Sequence, residues 1–312
     1  MNSSTATYTK SQCSECLGSL QAMLSREEKS YGCCSVSDTD YADVRRSLVD
    51  VYDEVFDLCQ LQNRDTVSVA ISYLDRFMSV QKRFVNVQVA AMTCFYLAVK
   101  LYEPTVIPPS MLVEVFSRTL DCDEEQEDDA STDTVVTAEA IETMEMKVLS
   151  GLKWNLNPPT AMMFVRQLLC CLPGLSQWKQ AAIDLAQAHL RVAVRSNDTM
   201  GVRASTQAVA VLFLAVEKLS PAQRAPVYKF LLQAARMTSG GHQRQVLTVQ
   251  GMIKMLAAEA IQESTPVLPE VVVLKRPATC DDFATPPPAK KQRKMVREVS
   301  FTSSPRSTLL LA

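Results

Sequence analysis

The residues of this chain best suited to metal or redox chemistry are ten cysteines and two histidines, and their spacing supports neither. Cys13 and Cys16 form a single C-x-x-C, and Cys33-Cys34 lacks the spacing of a second zinc half-site. With only His189 and His242 to complete a ligand set, no metal site is expected. Cys59, Cys94, Cys170 and Cys171 fall within apolar helical patterns, which reads as buried free thiols in a reducing compartment. No Gly-rich phosphate loop, nucleophile elbow or His/carboxylate cluster occurs. The chain is therefore expected to catalyse nothing itself and to need no cofactor. One charged group does stand in a telling place. Lys100 follows the run Val89 to Val99, small or apolar apart from Thr93, in the stretch Gln88 to Pro104, QVAAMTCFYLAVKLYEP.

A helix that apolar on all sides must be enclosed by other elements, and it is too short to cross a bilayer, which takes about 20 apolar residues. It belongs at the centre of an all-helical domain, with Lys100 where the buried element reaches the surface. Composition agrees: 8 Gly and 6% aromatics argue against a sandwich or barrel, and helix formers are abundant. No signal peptide or membrane-spanning run is visible.

The 312 residues suggest about two domains. Residues 1–39 read as a flexible N-terminal segment with at most a short helix near Leu17–Arg26. From Tyr41, Val44, Leu48, Val51, Tyr52, Val55 and Leu58 repeat at helical spacing. Asn63 or Asp65 can cap a second helix running to about Ser79, Asn86 a third, and Pro108-Pro109 can open a fourth. In the run 121–133, eight of thirteen residues are Asp or Glu, which predicts a solvated loop insertion. A fifth helix spans about Thr137–Leu149 before Asn157-Pro158-Pro159-Thr160 breaks the chain.

The pattern then restarts, with helices expected near 160–171, 176–196, 205–218, 222–236 and 246–261. QVAAMTCFYLAVKL at 88–101 is echoed by QAVAVLFLAVEKL at 207–219, the two Leu-Ala-Val triplets lying 117 residues apart. That period is too long for a solenoid unit and fits two five-helix domains, 40–157 and 158–262, each with a buried central helix. Residues 263–312 are rich in Pro and charge and are expected to be disordered. Residues 275–312 hold eight Lys/Arg against three Asp/Glu, a net +5 that leaves −7 for the rest of a chain of formal charge −2. An acidic body with a basic tail does not resemble a nucleic-acid-binding groove.

Four segments in order resemble the cyclin family: VRRSLVDVYDEV at the first helix, SYLDRFMS at the second, AAMTCFYLAVKLYEP at the third and IETMEMKVLSGLKWNL at the fifth. The endings YLDRFMS and LKWNL are most similar to D-type cyclins. The resemblance covers about residues 40–262, more divergent in its second half. It implies two tandem five-helix cyclin folds. It also implies a regulatory subunit, without catalysis of its own, that binds and activates a cyclin-dependent Ser/Thr kinase in cell-cycle control.

The family's kinase-gripping Lys and Glu fall on Lys100 and Glu145, and its box-bracing Arg–Asp pair on Arg45 and Asp75. The substrate-docking patch of many cyclins corresponds to Val44, Ser47, Leu48 and Val51 with Gln88. Here Arg46, Ser47 and Val51 depart from the family's pattern, so less apolar area is on offer to Arg-x-Leu substrates or inhibitors. The Leu-x-Cys-x-Glu motif of D-type cyclins is absent near the N-terminus.

In the tail, Lys275-Arg276, a thirteen-residue spacer and Lys290-Lys291-Gln292-Arg293-Lys294 have the form of a bipartite nuclear import signal. This predicts an import carrier as a partner and a nuclear protein that shuttles with the cytoplasm. Thr265, Thr285 and Ser304, each before Pro, are candidate sites for Pro-directed kinases. A competing expectation is a transcription-associated cyclin, or a cyclin-fold general transcription factor of the IIB type that binds DNA. The acidic body, the missing zinc ribbon and the Lys100/Glu145 pair argue against the latter. No membrane partner is expected.

Overall fold

The enclosed helix organises the first half of the molecule. In the computed structural model, which describes residues 10–31, 39–81, 86–120, 136–172, 175–238 and 243–263, it is α4, Val87–Tyr102, and ten of its 16 residues are buried. Around it lie α2 (Thr39–Leu58), α3 (Asp65–Val80), α5 (Pro109–Leu120) and α6 (Ala138–Gly151). α3, α5 and α6 pack directly on α4, while α2 closes over α3 and α5. An aromatic cluster fixes the centre. Tyr52 lies 4.9 Å from Phe95 and 6.0 Å from Phe116, ring centre to ring centre. The Tyr52 hydroxyl, buried with its ring, donates to the Ala91 carbonyl at 2.7 Å, which avoids an unsatisfied polar group in the core.

The second half repeats the plan around α9 (Ala204–Val216), of whose 13 residues eleven are buried. α7 (Ala161–Cys170), α8 (Ser176–Arg195), α10 (Pro221–Thr238) and α11 (Gln243–Glu263) all pack on it. The fold is all-α among the described residues, two tandem five-helix units, each with its own apolar core. The echo between residues 88–101 and 207–219 is thus the repetition of a central helix.

The polar caps fall where the sequence places them. Asn86 accepts from the Val89 N–H, and Thr160 from the Met163 N–H, both at 3.1 Å. The Asn63 side chain accepts from the Asp65 N–H at 3.1 Å. The first turn of α3 has a second cap from outside its own sequence. The Glu103 carboxylate, just past α4, accepts from the Gln62 N–H and from the Thr66 hydroxyl at 2.9 and 2.7 Å. Gly151 is required by packing: a Cβ there would sit 2.9 Å from the Phe77 ring.

The N-terminal segment corrects the expectation of a flexible stretch with one short helix. Lys10–Ser30 form a 21-residue helix, α1. It packs on α7, burying Leu20 in the second core with Met23 and Leu24 partly covered. Leu17, Leu20 and Leu24 supply the helical spacing, and the docking surface of the second half extends the helix beyond what its polar residues would sustain alone. The thiols also differ from expectation. Cys94 and Cys171 are buried, Cys59 is intermediate and Cys170 is exposed, because α7 turns Cys170 away from the core. The acidic run 121–133, the basic clusters Lys275, Arg276, Lys290, Lys291, Arg293 and Lys294, and Thr265, Thr285 and Ser304 lie outside the described residues.

Candidate functional site

α4 delivers Lys100 to the surface in its last turn. Its upstream turns are locked in the core, so the position of the Lys100 backbone is set by packing rather than by the surface. α6 packs alongside α4 and presents Glu145 at the same edge. The Lys100 Nζ donates to Glu145 Oε1 at 2.7 Å. Lys100 is 41% exposed and Glu145 20%, so the pair faces solvent and leaves ammonium hydrogens and one carboxylate oxygen for an outside partner. The hydrogen bond that Lys100 donates to Glu145 holds the ammonium pKa above the usual lysine value. Leu101 and Met146, the residues following each member of the pair, are both exposed. Two opposite charges bordered by unsatisfied apolar side chains make a docking edge of the mixed kind found in protein interfaces.

Arg45 and Asp75 meet as a fork: Arg45 Nε and Nη2 donate to the two Asp75 oxygens at 2.8 and 3.1 Å. Arg45 is only 4% exposed and Asp75 14%. The Tyr41 hydroxyl also donates to Asp75, at 2.7 Å. The third arm of Arg45 reaches the second half, where Nη1 donates to the Val194 carbonyl at 2.8 Å. That carbonyl lies in the last turn of α8, where helix carbonyls lack intrahelical partners. The sequence reading did not anticipate that the same arginine ties the two halves together.

The residues of the expected docking patch do not share one apolar surface. Val44 and Gln88 are exposed, whereas Leu48 and Val51 are buried in the first core. The helical period of α2 explains this: Leu48 and Val51 lie on the stripe with Tyr52 and Val55, which faces inward.

Several polar links were invisible in the sequence. Glu27 of α1 is buried and accepts from the Ser205 N–H at 2.9 Å and from the Ser205 hydroxyl. It thereby caps α9, whose own N-cap residue, Arg203, makes no side-chain cap hydrogen bond. Burial holds its carboxyl above the usual carboxylate range, against the opposing hydrogen bonds from Ser205. Asn157, in the linker, is a hub. Its N–H donates to the Tyr31 hydroxyl at 3.1 Å, its carbonyl accepts from Arg26 at 2.8 Å, and its side chain accepts from Tyr102 at 2.9 Å. Across the halves, Arg191 pairs with Asp53 at 2.9 Å and Arg166 with Asp65 at 2.7 Å. These groups rim a cavity of about 330 Å³. Among the described residues, no group of three or more His, Cys, Asp or Glu could hold a metal ion.

Residues 18–157 match the cyclin N-terminal domain. The chain is 30% identical to Cyclin-D4-2 of Arabidopsis thaliana over 134 residues, 42% of this chain and 37% of that protein. It is 26% identical to the G1/S-specific cyclin-D1 of Rattus norvegicus over 176 residues, 54% of this chain and 53% of that protein. It therefore spans between about a third and a half of the length of these relatives. Its fold is similar to that of a viral cyclin from Herpesvirus saimiri, with a TM-score of 0.52 at 15% identity, covering 76% of this chain and 97% of that one.

Proposed function

This chain belongs to the cyclin family, close to its D-type members, and on that premise we propose that it binds and activates a cyclin-dependent Ser/Thr protein kinase in cell-cycle control. The observation that carries the reading is the Lys100–Glu145 pair at 2.7 Å on a solvent-facing edge, flanked by Leu101 and Met146. The solvent-facing side of the Lys100 ammonium donates to a carbonyl of a kinase segment, and the free oxygen of Glu145 accepts from its N–H groups. Charge-assisted hydrogen bonds of this kind are about twice as strong as neutral ones. Apolar contact around them supplies most of the affinity, over an interface larger than about 1,000 Å².

The chain contributes no reacting group. It acts by population shift, binding only the kinase conformation in which a mobile helix places its Glu against the catalytic Lys. A ligand moves such an equilibrium only as far as its preference for one state allows, so the rigidity of α4 and α6 matters more than any single contact. The basic clusters at 275–276 and 290–294 serve a nuclear import carrier, giving a nuclear protein that shuttles with the cytoplasm. A fluorescent fusion that remains nuclear after Lys290, Lys291, Arg293 and Lys294 are changed to Ala would overturn that part of the reading.

The test of the main reading is reconstitution. The purified chain is mixed with each of a panel of purified cyclin-dependent kinase subunits, and complex formation and phosphoryl transfer to a peptide are measured. Formation of a one-to-one complex with stimulated transfer is expected for at least one kinase. Absence of any complex across the panel refutes the reading.

A further inference from the structure

Lysine is a flexible point charge, and a partner that must freeze it on binding loses affinity to the ordering. We propose that Tyr96 is a positioning residue that fixes the Lys100 side chain before the partner arrives; this rests on the kinase-binding reading above. Between Val89 and Val99 every residue of α4 is buried except Tyr96. The helix thus opens to the surface first at Tyr96 and next at Lys100, one turn later on the same face. The Lys100 Nζ lies 4.9 Å from the centre of the Tyr96 ring, within the reach of a cation–π contact. Glu145 holds the same ammonium at 2.7 Å.

Two neighbours on two helices therefore define where the ammonium sits. Glu145 takes one of its three hydrogens, the ring face covers a second direction, and the remaining direction is left toward solvent for a backbone carbonyl of the partner. The Tyr96 hydroxyl also interacts with this ammonium, so Phe keeps the ring contact and only part of the positioning. An exposed cation–π contact corresponds to about a two- to fivefold change in affinity.

The experiment has two readouts. In the free protein, NMR of the Lys100 side-chain methylenes detects the ring current of Tyr96. The upfield shift is expected in the wild type and in Tyr96→Phe, and is expected to vanish in Tyr96→Leu. A wild-type Lys100 with shifts unchanged by Tyr96→Leu overturns the positioning role without reference to any kinase. In the complex, Tyr96→Leu is expected to raise Kd about two- to fivefold, with Tyr96→Phe between Tyr96→Leu and wild type. In a Lys100→Met background, Tyr96→Leu is expected to have no further effect. An equal loss in that background overturns the proposal, because Tyr96 then acts on the partner directly. Failure of the wild type to bind any kinase while the ring-current shift is present refutes the function reading and leaves Tyr96 as a brace for Lys100 alone.

Discussion

Arg45 shows how much can rest on one side chain. Its three donors satisfy both oxygens of Asp75 and a helix-terminal carbonyl of the other half, and nearly all of it is buried. Arg45→Met keeps the volume but strands the Asp75 carboxylate with only the Tyr41 hydroxyl. Removing one partner of a buried pair costs about 3–5 kcal/mol, and denaturant unfolding should read a loss of that size. Arg45→Lys keeps the charge without the fork and should fall between. A loss below about 1 kcal/mol for Arg45→Met would mean the pair behaves like an exposed surface bridge.

Residues of this kind differ in how legible they are. Lys100 could be read because a charge interrupts a long apolar run, and Tyr96 stands at a helical spacing from it that sequence alone displays. Glu27 could not, since its partner Ser205 is 178 positions away and neither residue leaves a local pattern. Leu48 and Val51, the positions that match the family's docking patch, lie on the inward stripe they share with Tyr52 and Val55 and are buried.

Among the elements, α1 was the hardest to foresee. Its apolar spacing at Leu17, Leu20 and Leu24 predicts a helix, but its length is decided by docking on the second half. The N-cap residues Asn86 and Thr160, by contrast, were readable because capping is local chemistry. Docking of α1 carries a pH signature through Glu27. The folded pKa of Glu27 lies above its unfolded value, so the folded state holds the proton more tightly. Its contribution to stability is therefore fullest below the unfolded pKa and declines as pH rises through the folded pKa. Glu27→Gln keeps an acceptor for the Ser205 N–H and removes the titration. Paired denaturation curves should show the Gln variant gaining on the wild type as pH is raised from about 4 to 7. A difference that is flat in pH, or that moves the other way, would contradict this account of α1.

At the scale of the whole molecule, two helical halves repeat one architecture, each around a helix buried on all sides, and both central helices were visible as apolar runs. What the sequence could not display is the seam. Arg45 reaches Val194, Arg191 reaches Asp53, Arg166 reaches Asp65, and the Asn197 side chain donates to the Ala42 carbonyl at 2.9 Å. These contacts join residues more than a hundred positions apart, so no periodicity signals them. They back the first half with the second and leave the α4–α6 edge as a stiff platform. The two halves are not equivalent as docking faces. The second central helix ends at Val216 with no basic residue in its last turn, and Glu217-Lys218-Leu219 follow it, whereas α4 carries Lys100 within its own last turn.

The direct test of that platform is a binding titration of the wild type, Lys100→Glu, Glu145→Lys and the double reversal against the kinase selected by reconstitution. Each single reversal should raise Kd at least about tenfold, the equivalent of one charge-assisted hydrogen bond. The double reversal restores an ion pair within the chain and should fold like the wild type, yet it presents the wrong charge at each position and should remain weak. Wild-type affinity in the double reversal would contradict the assignment of Lys100 and Glu145 as the contact that reads the kinase.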